Sequence, residues 1–272
     1  MPGRPYLHCV LGILCLSGVP RTGQAMGDEG NSHTIVQQAV ATELTADRND
    51  HTHWLYFEVD KKPDKAVSQW VAETAHGNLK RVVEQNGQKV PETQQRKSMD
   101  SFSQDPDQVA KQRKNEQHDD AQATELLKLL PQAFVWTKTD EADGNITLHF
   151  KPNPQFHPPD WESRVFAAME GDMVVDMAEH RIVSLKGKMI RDVKFLGGLL
   201  GGLKAGGTFD VERRKTGGNE WQITETHVHI QGRALLFKSI SENEDDVKTK
   251  FKELSADVSL HQAEDDLMHA AS

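Results

Sequence analysis

The chain has 272 residues, of which 36% are hydrophobic and 27% charged, and its formal net charge is −9 at pH 7. An acidic chain repels the phosphate backbone, which argues against general nucleic-acid binding. The same charge argues against docking on anionic lipid through a basic patch. The low apolar fraction predicts one long polar segment beside an ordinary core.

Residues 1–25 have the three regions of a secretory signal peptide. A basic start precedes an apolar run over 9–19, and Gly23 and Ala25 occupy the small-residue positions before a cleavage site. The run is shorter than the roughly 20 residues that cross a bilayer, so no transmembrane span is expected in the mature chain. We therefore expect export to the periplasm of a Gram-negative-type bacterium, or secretion. An uncleaved anchor is the alternative.

Both cysteines, Cys9 and Cys15, lie inside this predicted signal peptide. Neither follows the Leu-small-small pattern of a lipidated cysteine. After cleavage no cysteine remains, which excludes a disulfide, thiol catalysis and a Cys-ligated metal. An exported chain without disulfides is more typical of the periplasm than of a small extracellular module.

The first elements of the mature chain are predicted to be a helix over 31–50 and strands over 52–60 and 65–76. Asn86-Gly87 then marks a hairpin turn. The helix has one apolar face, whose positions are Ile35, Val36, Ala39, Val40 and Leu44.

Residues 91–125 contain almost no large apolar side chains. We therefore predict a polar helical insert at about 91–130 and, within it, a long solvated helix over 105–130. Pro106 suits the first helical position, where its missing N–H is not needed. A leucine cluster that Pro131 terminates anchors only the C-terminal end of this helix. A partly disordered insert is the alternative.

From Gln132 onward, alternating segments separated by turn signals predict strand after strand. Asp143-Gly144 marks a hairpin turn, and a short helix is predicted over 159–169. One long strand is predicted over 181–196, followed by another over 206–215. Long strands joined by tight turns form a large meander, an open barrel or a closed barrel.

The predicted organisation is a single β-rich domain over 26–250, followed by a polar C-terminal tail over 251–272 that is open to fraying. Paired carboxylates occur in three polar segments and are interpreted as solvated faces. The pairs are Asp119–Asp120, Asp245–Asp246 and Asp265–Asp266.

The stretch KFLGGLLGGLKAGGTF, over 194–209, raises the question of a phosphate loop. That interpretation is rejected because no helix follows Lys204. The stretch is interpreted as a Gly-rich link between two strands. Its leucines form either a flexible hydrophobic lip over an internal cavity or a connection packed on the core. They are Leu196, Leu199, Leu200 and Leu203.

Glu225, His227 and His229 alternate along one predicted strand and so share a face. His nitrogen and carboxylate oxygen are ligands of Zn²⁺, although a further ligand such as His149 or His157 would be needed. The alternative is a set of solvent-facing strand side chains. No nucleophile motif of the G-x-S-x-G, S-x-x-K or H-E-x-x-H type is present, and no cofactor is predicted.

The stretch LHFKPNPQFHPPDWESRVFAAMEGDMVVDMAEHRIVSLKGKMIRDVKFLGG, over 148–198, joins an F-x-P-N-P strand end to a small helix and a long strand. In this stretch, and in the order of its elements over 31–250, the chain resembles the periplasmic lipoprotein-carrier (LolA/LolB-like) family of lipoprotein-sorting proteins. The resemblance implies a mainly β fold with α insertions: a large curved antiparallel sheet, an open half-barrel, with helices packed on its concave side. It also implies a cavity for acyl chains. The family's cavity arginine cannot be assigned, and the candidates are Arg181, Arg191, Arg213 and Arg233.

Three functions follow, in order of preference. The first is a non-catalytic periplasmic carrier for a lipid or lipoprotein, with the apolar ligand held between sheet and helices. The second is an envelope protein-interaction or sensor module that uses the helix over 105–130; deletion of 91–125 would then leave the fold intact. The third is a Zn²⁺-dependent hydrolase built on the histidine strand. The predicted cavity lining, for which core packing is the alternative, is Trp136, Phe166, Met173, Val175, Met177 and Phe209.

Overall fold

The chain folds as a mainly β protein, and the computed structural model describes residues 22–194, 201–217, 220–234 and 243–270. Helices in this part of the chain are α1 (Thr22–Asn49), α2 (Glu92–Ser103), α3 (Pro106–Ala133), α4 (Trp161–Phe166) and α5 (Leu260–His269).

The strands alternate with tight turns along most of the described chain. They are β1 (His53–Lys62), β2 (Lys65–Ala72), β3 (Leu79–Gln85), β4 (Gln88–Lys89), β5 (Phe134–Ala142), β6 (Asn145–Pro152), β7 (Met169–Asp176), β8 (Arg181–Met189), β9 (Val193–Lys194), β10 (Gly201–Leu203), β11 (Thr208–Gly217), β12 (Glu220–His229), β13 (Gly232–Ala234) and β14 (Asn243–Leu254).

One 11-stranded antiparallel sheet dominates the fold, in the order β4-β3-β2-β1-β14-β12-β11-β8-β7-β6-β5. This confirms the predicted fold class of a large open antiparallel sheet with helices. β1 pairs with β14, so the first and last strands of the described residues meet inside the sheet. The two edges of the sheet are β4 and β5, which are consecutive in the chain. The helices α2 and α3 therefore connect opposite edges of the sheet.

The helix α1 buries the predicted apolar stripe. It begins at Thr22, upstream of the predicted start, and so includes the last residues of the predicted signal peptide. Of the predicted positions, Leu44 packs at the margin of the core and the rest are buried. The buried positions are Ile35, Val36, Ala39 and Val40.

The predicted polar insert forms the two helices α2 and α3. Asp105 caps α3 by accepting hydrogen bonds from the backbone N–H groups of Asp107 and Gln108, both at 3.1 Å. Most of α3 is exposed, and its buried residues lie at the C-terminal end. The prediction that Pro131 ends the helix is wrong, because α3 continues to Ala133. A proline in the last turn removes only one hydrogen bond, which the packed end of α3 tolerates.

The single long strand predicted over 181–196 is wrong. β8 ends at Met189, and the next strand, β9, belongs to a separate three-stranded sheet in the order β13-β10-β9. The backbone N–H of Ile190 donates to the carbonyl of Ala168 at 2.9 Å. This bond extends the register of β8 with β7 by one residue, and the chain leaves the large sheet after it.

The segment 251–272, predicted as a polar tail, contains the end of β14 and the packed helix α5. Ala263 and Leu267 of α5 are fully buried. The Arg81 guanidinium on β3 donates hydrogen bonds to the carbonyls of Leu267 and Ala270, the latter at 3.2 Å. These bonds satisfy carbonyls at the helix C-terminus, where a cation is favoured, and tie α5 to the sheet.

Helices cover both faces of the sheet. The face of the sheet under α1 is called the inner face, and the opposite face is called the outer face. Directly paired residues on neighbouring strands share a face, so the strand register assigns each residue of the sheet to one of the two faces. On the outer face, α2 and α5 pack over Leu55 and Trp70. On the inner face of β1, Trp54 and Tyr56 pack with Phe251.

Candidate ligand-binding face

A row of directly paired residues crosses the inner face and changes in chemistry along its length. From β6 to β1 the row is Leu148, Met173, Leu185, Val211, Thr226, Asp246 and Asp60. The inner face therefore has an apolar half, on β5 to β8 and β11, and an acidic half, on β14 and β1. The sequence of a single strand does not indicate this division, because the change from apolar to acidic residues runs from strand to strand across the sheet.

All six residues predicted to line a cavity belong to, or pack against, the one hydrophobic cluster of the apolar half, although Phe166 lies on α4 and not on a strand. Trp136, Met173 and Val175 are at most 2% exposed, and the other three are half-buried against the same cluster. The apolar stripe of α1 packs in this cluster too. The lining residues are therefore in contact with a helix, and a ligand would take the place of α1 side chains.

A buried ion cluster ties α1 to the sheet. Glu43 on α1 is 6% exposed, and Arg181 contacts both of its oxygens, from Nε to Oε1 at 3.1 Å and from Nη2 to Oε2 at 3.0 Å. Arg213 also pairs with Glu43, and the backbone N–H of Ile182 donates to it at 2.8 Å. Burial alone would raise the pKa of Glu43, but Arg213, Arg181 and this N–H together hold the pKa below its ordinary value.

Sequence reasoning named Arg181 and Arg213 among four candidate cavity arginines without choosing one of the four, and it missed Glu43. Glu43 stands on the predicted helix only a few residues from the apolar stripe. A lone acid at the border of an apolar stripe is a weak signal, since most such acids are solvated.

An open groove of about 720 Å³ lies beside the apolar half, between the start of α1, the end of α3, strand β5 and the loop after β6. Aromatic side chains from Phe134, Trp136 and Phe156 form its walls, and His33 and His157 lie on its polar side. The groove thus leads from solvent to the cluster that α1 covers. The sequence predicted Trp136 as a cavity residue but not the groove.

The acidic half contains carboxylates that are partly or fully buried. Glu58 is 7% exposed and accepts a hydrogen bond from Gln69. The interpretation of Asp245–Asp246 as one solvated face is wrong, because neighbouring strand residues point to opposite faces. Asp246 lies on the inner face, where burial, with Glu58 and Asp60 nearby, raises its pKa to about 6, although Lys248 acts in the opposite direction.

Glu225, His227 and His229 share the outer face of β12, as the alternation predicted. Asp245 accepts from both imidazoles, at 2.6 Å from His227 Nδ1 and 3.1 Å from His229 Nε2. The hydrogen bond that His227 donates to Asp245 raises the pKa of His227. Within the described residues, no three His, Cys, Asp or Glu side chains converge as metal ligands. His149 pairs instead with Asp172 on another part of the sheet.

Leu196, Leu199 and Leu200, three of the four residues predicted to form a lip, lie outside the described residues. Leu203 lies on β10 and is 7% exposed, within the same cluster as the apolar half. Gly206, in the turn that follows, has a φ of +91°, which favours glycine.

Comparison of the chain with protein-family models, curated proteins and solved structures finds no match. Among the helices of the described residues, none is both long and apolar enough to cross a membrane.

Proposed function

We propose that the protein is a non-catalytic carrier of the bacterial periplasm that holds a lipid, or the acyl chains of a lipoprotein, between α1 and the apolar half of the inner face. The observation that supports this most is how that half is covered. The amphipathic helix α1 lies over it, and an open groove with aromatic walls adjoins the contact. Apolar ligand sites are typically concave and lined by such side chains.

Ligand entry would exchange contacts of α1 for contacts of the ligand. The stripe of α1 consists of aliphatic side chains such as Val36 and Ala39, both fully buried. Each methylene group that a ligand buries contributes about 0.8 kcal/mol. A long acyl chain can therefore replace these contacts, while the Glu43 cluster opposes displacement of the helix when no ligand is present.

The direct test is native mass spectrometry of the protein purified from its own envelope fraction in mild buffer, compared with the denatured mass. The expected result is an added mass that extracts into organic solvent and is identified as lipid. A clean apo mass, together with no binding of added acyl ligands, would contradict the proposal.

A matched pair of variants tests the groove. A Cβ at Gly30 would meet nothing within 4 Å, so Gly30→Trp can fill the groove without a backbone clash. Gln38→Trp, on an exposed position of the same helix, is the control. We expect Gly30→Trp to slow or weaken acyl-ligand binding and Gln38→Trp to leave it unchanged, with equal melting temperatures for both.

An envelope protein-interaction module is the second candidate, and the exposure of α3 favours it. The middle of α3 carries exposed charges of both signs, including Lys114 and Asp119. A photo-crosslinking amino acid at Lys114 tests it in cells, with the same amino acid at Lys252 of β14 as the control. A discrete crosslinked partner at Lys114 alone would support this function, and no crosslink would exclude α3 as the contact surface.

A further inference from the structure

We infer that the ligand of the inner face ends in a protonated amine, which binds between Asp60 and Asp246 while the apolar chain of the ligand lies in the apolar half. This inference rests on the proposed function, because it names the chemical class of the carried ligand. That class is an amphiphile with a cationic head.

The two aspartates each present an oxygen without a partner. Lys62 Nζ lies 3.3 Å from Oδ2 of Asp60, and Lys248 Nζ lies 3.5 Å from Oδ2 of Asp246. The lysines thus engage the Oδ2 atoms. The Oδ1 atoms of both aspartates are buried and accept no hydrogen bond within the described part of the chain. Buried polar atoms are normally hydrogen-bonded, so these two lack the donor that such atoms usually have, and a ligand that reaches them by displacing their neighbours can supply it.

A tyrosine on the same face adds a second, independent group. Tyr56 is 6% exposed, and its hydroxyl makes no hydrogen bond to another described residue. Lys248 Nζ stands 5.4 Å from the centroid of its ring, so the ring already faces one ammonium group. Burial, together with neighbouring carboxylates, raises the pKa of this phenol well above its ordinary value. These carboxylates are Glu73, Glu58, Asp246 and Glu116.

An aromatic ring beside several carboxylates is the combination that binds an ammonium group, through the ring face and charge-assisted hydrogen bonds. A carboxylate or phosphate head would instead meet like charge from Asp60, Asp246 and Glu58. Since the described residues bring no three metal ligands together, the geometry favours an organic cation.

The spacing of the two halves fits one ligand. Met173 on β7 and Asp246 on β14 belong to the same row and are separated by four strand spacings. At the usual distance between strands this is about 19 Å along the sheet. Leu185, Val211 and Thr226 lie between them, so the row itself passes from apolar to polar residues and contains no charged residue over this span. A single extended amphiphile can therefore place its head at Asp246 and its chain at Met173.

The test uses three ligands with the same alkyl chain: dodecylamine, dodecanol and dodecanoate. Each is titrated calorimetrically into the purified protein at neutral pH, below its micelle concentration. We expect the amine to bind at least about tenfold more tightly than the alcohol, because hydrogen bonds to charged groups are stronger than neutral ones. The carboxylate should bind most weakly.

Variants locate the head group. Asp60→Asn, Asp246→Asn and Tyr56→Phe should each reduce the preference for the amine over the alcohol, with the alcohol affinity unchanged. Asp245→Asn is the matched control, since Asp245 is the chain neighbour of Asp246 but lies on the outer face with His227. Circular dichroism shows whether each variant is folded. If Asp246→Asn does not fold, the binding preference of Asp60→Asn is used to test the site.

Each outcome is decisive. If all three ligands bind equally, the carrier proposal stands and the cationic head is overturned. If none binds, the carrier proposal fails as well. A preference for the amine that Asp60→Asn and Asp246→Asn leave intact overturns the site. Spermidine, an amine without a long terminal alkyl chain, is the last ligand tested. If it binds as tightly as dodecylamine, the inference that the ligand is an amphiphile is overturned.

Discussion

Asp60 and Asp246 lie directly opposite each other on β1 and β14, with both side chains on the inner face. Like charges in a directly paired position destabilise a sheet. Burial and the neighbouring acids raise the pKa of Asp246 to about 6, so this carboxyl group is largely ionised at neutral pH despite the repulsion. Such local conflicts are concentrated at functional sites, and this one lies in the acidic half where we place the ligand head.

The first prediction concerns the pH dependence of stability at Asp246. Its folded pKa, about 6, is above the ordinary value of 3.8. The native state therefore binds more protons between these values, and the contribution of Asp246 to stability is lost as the pH rises through about 6. Asp246→Asn should raise the free energy of unfolding at pH 7.5 by about 1–2 kcal/mol, allowing for partial solvent screening. The gain should disappear near pH 4 in urea melts.

The neighbouring residue supplies the control with the opposite sign. A hydrogen bond from His227 lowers the pKa of Asp245, so its contribution to stability is present at neutral pH and is lost as the pH falls. Asp245→Asn should therefore leave stability unchanged or reduce it at pH 7.5. Equal stabilisation by both substitutions would mean that net charge, and not the paired position, sets the effect.

The second prediction concerns the ion cluster that ties α1 to the sheet. Glu43→Ala leaves the guanidinium groups of Arg181 and Arg213 without their buried partner. We expect a loss of about 3–5 kcal/mol in the free energy of unfolding, the usual effect of breaking a buried pair on one side. Chemical denaturation measures it. Asp47→Ala, one turn further along α1 at an exposed position, should change stability by less than about 0.5 kcal/mol.

Local patterns predicted most elements of this fold because each depends on residues close in sequence. The apolar stripe at Ile35, Val36 and Ala39 predicted α1, and Asp105 before Pro106 predicted the start of α3. Asn86-Gly87 and Asp143-Gly144 do form turns, and all four residues have positive φ. The hairpins could be predicted for that reason.

The candidate site could not be predicted in the same way, because it depends on which strands become neighbours. Nothing near Asp60 indicates that Asp246 will face it, since the pairing of β1 with β14 joins distant parts of the chain. Glu43 and Arg181 are likewise brought together only by the packing of α1. The break after Met189 was missed because the alternation of apolar residues continues through Val193 into a different sheet.

The third prediction concerns two glycines paired in the apolar half. A Cβ at Gly171 would lie 1.9 Å from the backbone oxygen of Lys186, whereas one at Gly187 would lie 2.6 Å from the ring of Phe209. The backbone oxygen cannot move aside as easily as the side-chain ring can. Gly171→Ala should therefore lower the free energy of unfolding by at least about 3 kcal/mol, and Gly187→Ala should lower it by less. Thermal and urea unfolding measure both. Gly30→Ala, where a Cβ meets nothing, should not destabilise the protein.

The fourth prediction replaces the expectation that residues 91–125 can be deleted without loss of the fold. The segment connects β4 and β5, the two edges of the sheet, which lie ten strand spacings apart. At the usual spacing this is roughly 48 Å along the sheet. The residues left between β4 and β5 after deletion, 90 and 126–133, reach roughly 32 Å when fully extended. We expect the deletion variant to lose cooperative urea unfolding, measured by circular dichroism.

A control of unchanged length separates this connecting role from the surface chemistry of α3. Alanine at the exposed positions Lys111, Lys114 and Asp119 preserves the helix and its span, because alanine is the best helix former. This variant should unfold cooperatively, with a midpoint close to that of the unmodified protein. A cooperative transition with the same denaturant dependence in the deletion variant would contradict the prediction. It would mean that the shortened connection can still join β4 to β5. The pairing of β1 with β14 would then be enough to hold the sheet together without α2 and α3.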